Sequence, residues 1–121
     1  GVFRPIQHAA IAALTGTMDF PREMSRIYQR RRDVLCDGLD RLGWKVRRPP
    51  ATFFVWTRVP QPGISSGDFA KEVLLKAGVL ITPGTGFGQY GEGYVRIALT
   101  VEEDVYPEVI ARLEKAGFVY K

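Results

Sequence analysis

The sequence predicts an α+β fold: a small, mostly antiparallel sheet with helices packed on one face, preceded by a long helix. Three observations predict it. Apolar residues recur at helical spacing in several separate stretches, including a long one over Pro21–Leu42. Short β-prone runs fall between the later helices instead of alternating strictly with them. The glycine-rich segment Thr82–Gly93 leads into a β-prone run, Tyr94–Leu99, and not into a helix.

Residues Ile6–Leu14 are apolar and alanine-rich, and Pro5 suits a first helical turn because its missing N–H is unpaired there anyway. Thr15-Gly16 stops this helix, whose nearly all-round apolarity calls for a partner surface. In the second helix Asp19 is a candidate cap, and Met24, Ile27, Tyr28, Val34, Leu35, Leu39 and Leu42 mark one face. Gly43 ends it, so the rod would run about 33 Å at 1.5 Å per residue. Trp44–Arg47 reads as a short strand before the rigid Pro49-Pro50. Thr52–Val59 reads as a central strand covered on both faces.

The third helix opens on Ser65 with Asp68 three residues on, a capping-box spacing, and closes on Gly78. Its buried stripe is Phe69, Ala70, Val73, Leu74 and Ala77, and Val79–Thr82 is the next strand. Thr100 with Glu103 repeats the capping-box spacing before a last helix that carries Val105, Val109, Ile110 and Leu113 and ends at Gly117. Pro107 would remove a hydrogen bond inside that helix, at a cost of ~3 kcal/mol. An irregular first turn or a restart near Pro107 is therefore expected.

The 121 residues suffice for one domain with a modest core, and 45% hydrophobic with 25% charged residues is ordinary for a globular protein. No apolar run is long enough to span a bilayer, so no membrane association is expected. One cysteine, Cys36, cannot form an internal disulfide, which fits a reduced, cytoplasmic setting. With a single histidine besides, no metal site is expected. Seventeen basic residues face thirteen acidic ones. Their densest cluster, Arg30-Arg31-Arg32, reads as a solvated helix face with Asp33 three residues from Arg30. No aromatic residues interleave with it and no nucleic-acid partner is expected. The chain opens on Gly-Val-Phe-Arg-Pro without an initiator methionine and reads as a piece of something longer.

Few residues offer chemistry alone. His8 lies in an apolar helix without triad partners, Cys36 lies mid-helix without an activating neighbour, and the carboxylates are scattered. No catalytic residue is assigned. Gly84, Gly86 and Gly88 could cradle a phosphate, but a dinucleotide fingerprint needs a helix after the loop, and the Gly-Lys-Ser/Thr of a Walker loop is absent. The loop is equally a mobile connection or a ligand lining. Arg96 is sharper: a guanidinium fork matches a carboxylate, and its strand neighbours are apolar. An edge-strand arginine in solvent is the bland alternative.

The segments Ala51–Trp56, Thr82–Gly88 and Gly91–Thr100 resemble the C-terminal region of class I/II aminotransferases, fold-type I enzymes that depend on pyridoxal phosphate. Gly1–Gln7 and Tyr28–Asp33 fit the same pattern. The likeness extends over essentially the whole chain and lies nearest the LL-diaminopimelate aminotransferase branch with its alanine- and aspartate-using relatives. It implies that residues 1–20 belong with the large domain and the dimer interface. Residues 21–43 would form the connecting helix and 44–121 the small domain. It implies that Arg96 binds the α-carboxylate of amino acid and 2-oxo acid substrates, with Thr82 and Gly84 as possible active-site lining. The intact enzyme would be a homodimer carrying pyridoxal phosphate on a lysine from a Ser-Lys-type motif. That motif is missing here, since Lys45, Lys71, Lys76, Lys115 and Lys121 sit in other contexts. The chain alone is then expected to be inactive. Cofactor-binding residues are unassigned, and whether Arg4–Gln7 reach the partner's cofactor stays open. A different class of function, a stand-alone module gripping a carboxylate or acidic partner, is the competing expectation.

Overall fold

The computed structural model describes residues 1–120. In chain order it contains α1 (Arg4–Thr15), α2 (Asp19–Arg41), β1 (Phe54–Arg58), α3 (Ser66–Ala77), β2 (Thr82–Pro83), β3 (Tyr94–Ala98) and α4 (Val105–Lys115). Two 3-10 turns, Gly84–Phe87 and Gln89–Gly91, connect β2 to β3. The sheet is antiparallel with order β1-β3-β2. This is the expected α+β architecture, with α2, α3 and α4 packed against one face.

The core lies between that face and the helices. Val55 of β1 and Val95 and Ile97 of β3 meet Leu35 and Leu39 of α2, Phe69 and Val73 of α3, and Ile110 and Leu113 of α4. Each large apolar side chain buried in this way contributes about 1.5–3 kcal/mol. Helices α2 and α4 approach closely because residue 38 is glycine; a Cβ there would collide with the Ile110 side chain. Trp44 fills the end of the core, edge-on to Phe69 at 5.4 Å between ring centroids. Its indole N–H donates to the Arg58 carbonyl at 2.9 Å, so the buried polar atom is satisfied.

Helix α3 begins and ends as the sequence predicts. Ser65 Oγ accepts from the Asp68 N–H at 3.1 Å, and Gly78 closes the helix in the left-handed region at φ 65°. Leu74 departs from the expected stripe, being 44% exposed. Elsewhere local expectations yield to tertiary contacts. Trp44–Arg47 is not a strand: the Trp44 N–H bonds to the Leu39 carbonyl and the Val46 N–H to the Asp40 carboxylate, which ties this stretch to the end of α2. Strand β1 is an edge strand and not central, with Trp56 40% exposed on its outer face. Val79–Thr82 shrinks to Thr82–Pro83.

Asp19 is the first residue of α2 and not its cap; Met18 holds the cap position without a side-chain hydrogen bond. Thr100 and Glu103 form no capping box. Helix α4 starts at Val105, so Pro107 falls in the first turn, where its missing N–H has no intrahelical partner to lose. The acids before α4 pair with α2 instead: Glu102 with Arg31 at 2.7 Å and Glu103 with Arg30 at 3.1 Å. Arg31 is therefore no solvated residue. It is 7% exposed, and it also donates to the Leu99 carbonyl at 3.3 Å. Asp33 pairs with Arg32, not Arg30.

Helix α1 has no buried residue. Phe3, Ile6, Ile11 and Leu14 stay more than half exposed, as does Phe20 at the start of α2. The apolar surface expected of this segment therefore has no cover among the described residues.

Candidate functional site

Side chains alternate across a strand, so the residues between the core positions of β3 face away from the helices. Tyr94 and Arg96 do so, and the register sets Arg58 opposite Tyr94 and Trp56 opposite Arg96 on β1, with Thr82 opposite Arg96 on β2. Arg96 thus lies on the central strand, in the middle of an open, aromatic face. Trp56 stacks on Tyr94 at 5.8 Å between centroids, and the Arg58 guanidinium lies 5.4 Å from the Tyr94 ring.

The Arg96 guanidinium sits between two rings, 4.1 Å from the centroid of Phe54 and 4.1 Å from that of Phe87. Cation–π attraction holds it there. Its Nε is buried without a hydrogen-bond partner, and no carboxylate among the described residues lies within ion-pair distance. A charged fork left unpaired in a half-buried position favours an incoming anion.

Arg96, Phe54 and Trp56 line a groove of about 360 Å³ that continues along Pro49, Pro50 and Thr52 to Arg47 and Arg48. Arg48 is occupied by Asp37, with Asp40 at 3.5 Å and Asp33 at 3.6 Å. The groove is otherwise apolar, so its free positive charge is concentrated on Arg96 and Arg47. Thr52 at the rim holds φ 75°, a left-handed conformation that costs a β-branched residue of order 1–2 kcal/mol.

The glycine loop folds into a clasp built on two 3-10 turns. Gly84 and Gly91 cross backbone to backbone, and a Cβ on either would collide with the carbonyl of the other. Beyond the crossing, the Glu92 carboxylate accepts from the Ser66 N–H at 2.7 Å, from the Gly93 N–H at 2.8 Å and from the Ser66 hydroxyl at 3.2 Å. Those bonds, the Ser66 N–H foremost, hold the Glu92 carboxyl below its ordinary range. The clasp pins the loop to the N-terminus of α3, where the helix dipole favours a negative charge.

Of the residues singled out from sequence, Arg96 and Thr82 share a register row, whereas Gly84 is consumed by the crossing. Cys36 is fully buried and burial pushes its thiol up to about 11, so it is no nucleophile. His8 lies on exposed α1. Sequence reasoning missed Phe54, Phe87 and Glu92. An acid set between two glycines, Gly91-Glu92-Gly93, was the available signal for the last. The rings carry no spacing signature, because they reach Arg96 from separate parts of the chain.

A family model described as aminotransferase class I and II matches residues 2–113. The chain belongs to that family. Among curated relatives of this aminotransferase segment, the LL-diaminopimelate aminotransferase of Moorella thermoacetica is 51% identical over 95% of the chain and 29% of the relative. That of Halothermothrix orenii is 46% identical over 100% of the chain and 31% of the relative. Among solved structures, apo BacF of Bacillus subtilis superposes with a TM-score of 0.88 at 34% identity, over 100% of the chain and 31% of that structure. An aromatic aminotransferase of Pyrococcus horikoshii gives 0.82 at 32% identity, over 94% of the chain and 32% of that structure. The chain thus spans about a third of the length of these proteins.

Proposed function

We propose that the chain is the C-terminal, substrate-closing part of an aminotransferase that moves an amino group between an amino acid and a 2-oxo acid. Residues 44–121 would be its small domain, 21–43 the helix connecting it to a large domain, and 1–20 a segment of the large-domain side and dimer interface. The bare apolar surface of α1 is consistent with that division. In this reading Arg96 pairs with the α-carboxylate that amino donor and oxo acceptor share. The observation that carries it is the unpaired guanidinium held between Phe54 and Phe87 on the open sheet face.

Aminotransferases of this family imply pyridoxal phosphate. The residues around Arg96 do not fit that group. Lys45, Lys71, Lys76 and Lys115 are exposed and none lines the groove, so among the described residues no lysine amine is at hand to hold its aldehyde. Lys121 lies outside the described residues. Nor does Gly84 leave its backbone free to cradle a phosphate. The contribution of this chain is to bind and orient substrate, and to cover the site as the small domain closes. The reactive lysine and cofactor would come from the remainder of a cytoplasmic homodimer. The chain alone would be inactive.

The test is Arg96→Lys in the full-length protein. Loss of a bidentate, charge-assisted pair costs about 1.5–3 kcal/mol, a roughly tenfold to hundredfold effect. KM is expected to rise by that factor for amino acid and 2-oxo acid alike. Unchanged KM for both would overturn the assignment.

A further inference from the structure

The two rings around Arg96 restrict how it can be approached. A guanidinium carries its donors along the edge of a plane. Phe54 and Phe87 stand over it at 4.1 Å each, and Nε is buried without a partner. The terminal nitrogens, approached in the guanidinium plane, are the donors that remain. A carboxylate meets them with two parallel, coplanar bonds. A tetrahedral oxyanion carries a third oxygen out of that plane, against a ring that offers it no donor.

The two rings differ in how they are held. Phe54 belongs to β1 and is fixed by the ladder with β3. Phe87 belongs to the glycine loop, is 51% exposed and leans edge-on against Trp56 at 5.7 Å. Its place depends on the loop, and the loop depends on the Gly84–Gly91 crossing and on the Glu92 bonds to Ser66. One jaw is rigid; the other is set by a clasp.

We propose that Phe87 is a positioning residue, held by Glu92, which fixes the plane of Arg96 so that the site selects planar carboxylates over tetrahedral oxyanions of equal charge. The inference rests on the reading of Arg96 as the carboxylate-binding residue.

The experiment compares two competitive inhibitors of the full-length protein: an unreactive substrate analogue with its carboxylate, and the same molecule with a sulfonate in its place. Both groups carry one negative charge, so their inhibition ratio reports shape. Phe87→Leu is expected to reduce the preference for the carboxylate about tenfold and to raise KM for both substrates, with kcat changed less than about twofold. Phe87→Tyr restores the ratio because a ring again covers the guanidinium. Glu92→Gln shifts it in the same direction as Phe87→Leu, by less. Phe87→Met, which fills similar space without a ring, serves if the leucine variant folds poorly. An unchanged ratio in Phe87→Leu and Phe87→Met overturns the proposal. If Arg96→Lys raises KM while the Phe87 variants leave the ratio alone, only this inference falls. If Arg96→Lys changes nothing, the reading beneath it falls as well.

Discussion

Val95 and Arg96 are neighbours on one strand, yet they face different physical problems. Val95 is fully buried against the helices, within a layer of Val55, Ile97, Leu39 and Phe69. Arg96 points the other way, into an apolar groove, with rings on both sides and no paired carboxylate among the described residues. The helix-covered face is filled by its own apolar side chains. The open face keeps an unmet demand: a half-buried cation and exposed aromatics that nothing among the described residues completes. The first arrangement makes a fold, and the second makes a binding surface.

This contrast can be broken by substitution. The largest expected effect is on the covered face, where Val95→Ala should cost about 2 kcal/mol of stability through lost burial and the space left behind. Arg96→Ala, one residue on, should cost under about 1 kcal/mol, since it removes a charge without an anionic partner and gives up only its contacts with the two rings. Urea unfolding of the two variants measures both. Equal losses would mean that the open face also holds the fold together.

Effects smaller than that of Val95→Ala sharpen the contrast at the N-terminus of α3, where the two sides meet. Ser65→Ala removes the cap of the helix itself and should lower stability by about 1 kcal/mol in the same measurement. Glu92 serves the same turn from the loop side. Its carboxyl is held below the ordinary range, so its contribution is present above that range and is lost as pH falls through the lowered value. Glu92→Gln should therefore lower Tm slightly at pH 7, with the gap closing in acid. A gap that persists unchanged down to full protonation of carboxylates would show that charge plays no part.

How much of this was legible in the sequence depended on how local the cause was. Helix α3 was readable in all but Leu74, because its cap, stripe and terminal glycine all lie within Ser65–Gly78. Helix α4 misled because Glu102 and Glu103, placed like helix-start residues, are drawn to Arg31 and Arg30, some seventy positions away in the chain. Trp44–Arg47 failed as a strand for a similar reason: no neighbouring strand is available, and the end of α2 takes its hydrogen bonds. Arg96 was legible as a cation out of place in an apolar run. Its two rings were not, since only the folded loop and the register with β1 bring Phe54 and Phe87 to it.

The ties from Arg30 and Arg31 to the residues before α4 also have a mechanical consequence. They bind α2 to the segment between β3 and α4 from about Tyr28 onward, while the helix before it is almost bare. Nine residues of free helix, Asp19–Ile27, make a lever about 14 Å long, so a tilt of roughly 10° at its base displaces its tip by about 2 Å. Whatever grips the tip would pull on these ties, at a distance from the groove.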